Sequence, residues 1–247
     1  MAQVERILFS EGREARLLRV RRDEPIPAIL ERLALPAAKA VICLNGGTAE
    51  LTEPLISQLK SLLTEGVARF AAEESITLIT GGTDAGIFAL LGAGLSRWPS
   101  AAACLGVVPE QCVRWPGHAG GETPLEPHHT HFLAVQGSEW GDETDTMTGV
   151  LNTLGATCPT AVIVAGGGAV TLREMRAHTE ARRPMILLAG SGRNTDAVLA
   201  ARAGGKASDE KVRMIAERGL ISSFPVNENS AALRDLIRRT ISPAAHC

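Results

Sequence analysis

The chain has 247 residues, a length that suits one large α/β domain, and its 45% hydrophobic and 21% charged residues supply an ordinary soluble core. The net charge of −2, with Lys and Arg dispersed, argues against a duplex-binding surface. No apolar run approaches the roughly 20 residues of a membrane span. Glu5, Arg6, Glu11 and Arg13 interrupt any secretory leader, so a cytoplasmic protein is expected.

Residues 6–20 read as a hairpin: Ile7 to Phe9, a turn at Glu11-Gly12, then Ala15 to Val20. A polar link with a short helix follows, closed by Pro36. Lys39 to Leu44 is the first buried strand. Leu55, Leu59, Leu62, Leu63, Val67 and Phe70 recur at helical spacing and predict an amphipathic α-helix over 53–73. Ile76 to Thr80 is the next strand, Ile87 to Leu95 mark the next helix, and Ala103 to Val108 is a third strand. The stretch 111–130 has three prolines, three glycines and three histidines without periodicity. A loop this long is uncommon in a compact domain, and a mobile lid that closes over a ligand is expected there. His131 to Val135 resumes as strand. A helix over 144–154, strand 160–165, helix 170–182, strand 185–189 and helix 195–203 complete the alternation. Ser208 is the expected cap of a helix ending at Gly219. A strand over 220–224 and a closing helix through Leu233, Leu236, Ile237 and Ile241 finish the chain.

Repeated βα units predict a Rossmann-like α/β fold: a parallel sheet with helices on both faces, plus a small N-terminal β-hairpin. The division expected is residues 1–37 as hairpin and linker packed on the main domain, and 38–247 as a single nucleotide-binding unit. Cys43 lies within an apolar strand pattern and Cys104 beside one. With Cys112, Cys158 and Cys247 they show no Cys-x-x-Cys spacing, so they read as thiols in a reducing compartment.

Four strands end in glycine and run into helical patterns. Such turns let backbone amides approach a phosphate while the following helix points its positive end at it. The first is Asn45-Gly46-Gly47. The second is Gly81-Gly82-Thr83-Asp84-Ala85-Gly86, where Thr83 offers a hydroxyl donor and Thr83 or Asp84 is alternatively an N-cap. The third, Gly166-Gly167-Gly168, leads into Thr171 and Glu174. Glu174 is a candidate acid/base, set against plain helix capping in a first turn, which the dipole favours anyway. The fourth is Gly190-Ser191-Gly192-Arg193-Asn194-Thr195. It lacks the third glycine of a dinucleotide fingerprint, so nicotinamide dehydrogenase chemistry is not expected. Arg193 is a candidate phosphate partner. Asn194 and Thr195 are candidate donors to ribose or phosphate. His129 and His131 share a strand face and are candidate ligand contacts, but spacing forces no fourth ligand and no metal site is expected. Trp115 and Trp140 are candidate platforms for a base.

At these residues the chain resembles a known family. GGTDAGIFALLG (81–92), HTHFLAVQG (129–137), VIVAGGGAV (162–170) and LLAGSGRNTDAVLA (187–200) occur in the same order as similar segments in the N-terminal homology region of melastatin-type TRP channels. The resemblance is closest to the stand-alone prokaryotic version of that region, the LSDAT branch of the SLOG superfamily. It covers about residues 38–203. It implies a Rossmann-like fold and binding of nucleotide-derived signals such as ADP-ribose or another NAD derivative, with no further cofactor. Its relatives include the LOG phosphoribohydrolases and the DNA-processing protein Smf/DprA. The phosphoribohydrolases carry Pro-Gly-Gly-x-Gly-Thr-x-x-Glu. Here Ala165 replaces the proline, Ala169 replaces the last glycine, and an extra Val170 precedes Thr171. The departure favours binding over N-glycosidic hydrolysis by Glu174. No effector domain is recognisable, so a homo-oligomer or a separate effector protein is the expected partner besides the small nucleotide. Nucleic acid and membrane are not expected.

Overall fold

The structure, a computed structural model, describes residues 3–47, 51–99 and 102–242; Cys247 lies outside them. The strands are β1 (Glu5–Leu8), β2 (Glu14–Val20), β3 (Val41–Gly46), β4 (Thr77–Thr80), β5 (Cys104–Pro109), β6 (Val113–Arg114), β7 (Thr123–Pro124), β8 (His131–Val135), β9 (Thr160–Ala165), β10 (Met185–Ala189) and β11 (Ile221–Pro225). The helices are α1 (Ile26–Leu33), α2 (Glu53–Ser61), α3 (Arg69–Glu74), α4 (Gly86–Arg97), α5 (Thr144–Gly155), α6 (Ala169–Glu180), α7 (Arg193–Arg202), α8 (Glu210–Arg218) and α9 (Ser230–Ile241).

Among the described residues nine strands form one sheet in the order β1-β2-β8-β5-β4-β3-β9-β10-β11. Every neighbour pair is parallel except β1 with β2. The hairpin extends the main sheet, because β2 runs beside β8 from Arg16 opposite His131 to Val20 opposite Val135. The chain winds outward from β3 through β4 and β5 to β8, then returns to set β9 on the other side of β3. That reversal opens a crevice beyond the carboxyl ends of β3 and β9, where open parallel sheets bind ligands.

Strand alternation divides the core between the two faces. Ile42 and Leu44 of β3 pack under α2, α3, α4 and α9, whereas Val41 and Cys43 pack under α1 and α5 to α8. Asn45 therefore follows Cys43 to the α5–α6 side. Gly46 closes the strand where only glycine fits, since a Cβ there would lie 2.2 Å from the Ala165 carbonyl oxygen.

Two expectations about the helices are corrected. The helix over 53–73 is not α-helical throughout: α2 and α3 are joined by π-helical turns over Leu62–Ala68. Six of those seven residues are buried, and they pack against α4 and α9. The wider turn keeps them inside; apolar spacing alone does not distinguish it from an α-turn. The cap of α8 is Asp209, not Ser208, with its carboxylate accepting from the amides of Lys211 (2.8 Å) and Val212 (3.0 Å).

The stretch 111–130 has hydrogen-bonded structure of its own. β6 pairs with β7, the Asp84 amide donates to Pro124 at 2.8 Å, and the Glu126 amide donates to Gly82 at 3.0 Å. Buried Glu126 holds His128 Nδ1 at 2.5 Å and His129 Nδ1 at 2.7 Å. Trp115 is buried in the core with Phe9 and Phe132, its ring stacked on His118 at 3.9 Å. It offers no face to a base.

Candidate functional site

A cleft of about 330 Å³ lies over the switch between β3 and β9. That volume falls in the range of small-molecule sites. Six segments supply its walls: Gly46 and Gly47 at the end of β3; Gly81, Thr83 and Phe88 around the start of α4; Thr123 of β7; Trp140, Glu143 and Met147 around the start of α5; Gly168 to Thr171 and Glu174 of the α6 end; and Arg193. A larger groove of about 860 Å³ runs along the flank between α6, α7 and α8. It contains no glycine turn of a central strand. Its charges of both signs pair locally, as Arg176 does with Glu180 at 2.7 Å. The smaller cleft is the better candidate, because the sheet's glycine turns and buried carboxyl groups converge there.

The helix ends at the cleft are bare. Neither α4 nor α6 has a side chain that caps its N-terminus, and Gly168 heads α6. Outside the cleft, α8 is capped by Asp209 and α9 by Asn229, whereas α1 and α2 lack a side-chain cap too, so what marks the cleft is that two uncapped starts converge on it. Uncapped first-turn amides carry the positive end of the helix dipole, which favours an anion. The Arg193 guanidinium reaches the same place: its Nη2 lies 3.4 Å from where a Cβ on Gly168 would stand.

The turn after β10 serves the turn after β9. Ser191 Oγ accepts from the Gly166 amide at 2.8 Å and donates to the Leu188 carbonyl at 2.5 Å. Thr195 Oγ1 donates to the Gly166 carbonyl at 2.8 Å, and Asn194 Nδ2 donates to the Gly168 carbonyl at 2.9 Å. The amides of Gly190 and Gly192 donate to the Asp196 carboxylate at 2.8 and 2.9 Å. Of the fourth motif only Arg193 lines the cleft. The other predicted contacts are distributed unevenly. Gly46, Gly47, Gly81, Thr83, Gly168 and Thr171 line the cleft. The Gly82 amide is taken by Thr80 Oγ1 at 2.8 Å, the Asp84 amide by Pro124, and Gly86 begins α4. His129 is buried against Glu126 and Thr80, and His131 bonds Thr130 at 2.8 Å; neither lines the cleft.

Glu174 sits in the second turn of α6, not the first, so it does not cap the helix. It is 6% exposed on the cleft floor. Burial, reinforced by the nearby Glu143 carboxyl, pushes its pKa up to about 8. Burial also raises Glu143, whose Oε2 accepts from the Gly141 amide at 2.8 Å. The cleft thus holds a carboxyl that is protonated at neutral pH beside a second one. Sequence reading missed Glu143, which follows Trp140 in a stretch without periodicity. Trp140 is 49% exposed and lines the cleft, so its ring is open to a planar partner.

Behind Glu174 lies Asn45, 1% exposed. His178 Nε2 is 2.9 Å from Asn45 Oδ1, and Arg183 Nη1 is 2.9 Å from His178 Nδ1. Arg183 also donates to Asn152 Oδ1 at 2.6 Å and Thr160 Oγ1 at 3.2 Å. Burial and the adjacent guanidinium push the His178 pKa down to about 3, so its ring is neutral.

The family model for "SLOG in TRPM, prokaryote" matches residues 39–245. Among solved structures, the X-ray structure of TM1055, a structural-genomics target, is similar with a TM-score of 0.54 at 18% identity, over 81% of this chain and 99% of that one. This likeness is one of fold. No curated protein matches the chain. Among the described residues no helix is long and apolar enough to cross a membrane.

Proposed function

Because the chain belongs to the SLOG-in-TRPM family in its prokaryotic form, we propose that its cleft binds a nucleotide-derived ligand, ADP-ribose or another NAD derivative. The observation that carries this reading is the Arg193 guanidinium beside Gly168, at the head of a helix without a side-chain cap. Amides and guanidinium together suit a phosphate. Trp140, with Phe88 and Met147 along the walls, offers an aromatic and apolar surface for a base. No cofactor beyond the ligand is called for. The expected setting is the cytoplasm, with output through self-association or a separate effector protein. A ligand that binds only the folded chain raises its melting temperature. ADP-ribose, NAD, AMP and cyclic ADP-ribose at millimolar concentration form the test panel. A melting temperature unmoved by all four contradicts the reading.

A second reading has its own support. Glu174 keeps a proton on the cleft floor beside Glu143, as a general acid for an N-glycosidic bond must. Against it stands the altered run Ala165 to Thr171, because small misplacements of an acid are costly in catalysis. Slow or absent adenine release from AMP is therefore expected. Rapid release that Glu174→Ala abolishes would reverse the ranking.

A further inference from the structure

The polar groups behind Glu174 form a chain whose direction chemistry fixes. A guanidinium can only donate, so His178 Nδ1 must accept from Arg183. A neutral ring with a bare Nδ1 carries its hydrogen on Nε2. That nitrogen therefore donates to Asn45 at 2.9 Å, and the atom receiving it must be the amide oxygen. The Asn45 amide is thereby locked with Nδ2 on the other side, 3.7 Å from Met147 Sδ and on the side of the Glu174 carboxyl, whose ionised form it favours. Asn152 and Thr160 accept from the remaining Arg183 nitrogens and hold the guanidinium at the start of the chain.

We propose that Asn45, oriented by His178 and Arg183, is a positioning residue that presents the Glu174 carboxyl to the cleft as a hydrogen-bond donor. The Asn45 N–H occupies the carbonyl oxygen of the protonated group. The hydroxyl oxygen is then the one turned toward the ligand. Glu174 selects a ligand atom that accepts, such as a ribose hydroxyl or a phosphate oxygen, and adds no negative charge near a phosphate. Were the amide reversed, Asn45 Oδ1 would face Glu174 and draw its hydroxyl inward, away from the ligand.

The groups that act on Glu174 are Glu143 before α5, Cys43 and Asn45 of β3, and Arg173 on its own helix, while Arg193 lines the same cleft. Only the Asn45 contact depends on the tautomer of His178. An Asn45 N–H favours the ionised carboxyl, so removing that orientation raises the Glu174 pKa further.

The inference rests on reading the cleft as a ligand site, but its test needs no ligand, so failure of one is distinguishable from failure of the other. The full chain is labelled with 13C-carboxyl glutamate, and Glu174 is assigned by the resonance missing from Glu174→Gln. The wild-type carboxyl titrates near 8. His178→Leu and Arg183→Met each move the midpoint upward by at least about 0.5 pH, a threefold change in the ionisation constant. His178→Gln, whose amide can still donate to Asn45 Oδ1, restores it. Unmoved midpoints in both the Leu and the Met variants overturn the proposal. Should those variants fail to fold, the wild-type 15N spectrum of His178 decides. The hydrogen is expected on Nε2 with Nδ1 bare from about pH 5 to 9. A hydrogen on Nδ1 overturns the proposal equally.

Discussion

The turns after β9 and β10 are near twins in sequence and opposites in structure. Gly166-Gly167-Gly168 and Gly190-Ser191-Gly192 both follow a buried parallel strand, and both run into a helix without a side-chain cap. Each has a carboxyl a few residues on. In the turn after β10 that carboxyl, Asp196, reaches back and takes two amides. In the turn after β9 the carboxyl, Glu174, lies a turn deeper in the helix, faces the cleft and keeps its proton. A glycine turn offers a phosphate site only where the protein's own acceptors have not already filled it. One turn is a structural brace. The other, held from behind by Ser191, Asn194 and Thr195, remains open.

The sharpest test of this contrast compares two glycines. Gly167 and Gly192 both have positive φ, at 90° and 84°. A Cβ on Gly167 would also meet Thr171 Cγ2 at 2.4 Å, whereas one on Gly192 meets nothing within 4 Å. Gly167→Ala should cost about 4 kcal/mol and Gly192→Ala about 2 kcal/mol, the difference being overlap rather than backbone strain. Equal losses in denaturant titrations would remove the distinction.

The two carboxyls come next. With its pKa raised to about 8, Glu174 keeps a proton in the folded chain that the unfolded chain has already released. Between about pH 4.3, the ordinary glutamate value, and that raised value the folded state binds more protons, so this group's contribution to stability falls as pH rises. Glu174→Gln cannot ionise. At the upper end of that window it should be more stable than wild type by on the order of 3 kcal/mol, with the advantage shrinking toward acid. A pH-independent difference between the two proteins would contradict the burial account. Asp196→Ala leaves two amides of the brace without their acceptor. It should cost about 1.5 kcal/mol, less than a fully buried loss because that turn is partly exposed. No loss at all would mean that the brace is dispensable.

Arg193→Ala carries the smallest effect, and it falls on binding. Removing one charge-assisted hydrogen bond to a phosphate should weaken ADP-ribose binding about tenfold, equivalent to about 1.4 kcal/mol. Arg193→Lys should recover part of it, since an ammonium lacks the planar two-bond geometry. Titration calorimetry that finds Arg193→Ala unchanged would return the residue to the solvated surface.

The alternation of strands and helices was legible because each βα unit writes its own period and ends at a glycine. The order of strands, with β9 returning to the far side of β3, was not legible, because βα repetition leaves open which strand each crossover joins. Occupancy could not be read either. Nothing in GSGRNTD says that Asp196 folds back onto Gly190 and Gly192, because that reach depends on how α7 starts. His178 and Arg183 look like ordinary polar residues near the end of a helix. Their meeting with Asn45, more than 130 positions earlier, exists only once α6 lies on β3. The second-turn position of Glu174 depended on a helix start at Ala169, which three glycines leave open in sequence. Trp115 and Trp140 were indistinguishable by type. Packing on His118 took one into the core and left the other at the cleft.

The most direct measurement is a crystal structure of the full chain with ADP-ribose, read for which turn holds the phosphates. Phosphate oxygens are expected within hydrogen-bond distance of the amides of residues 169–171 and of the Arg193 guanidinium. Asp196 should still be bound to Gly190 and Gly192, with the base against Trp140. Phosphates seated on Gly190 and Gly192, with Asp196 displaced, would contradict this reading.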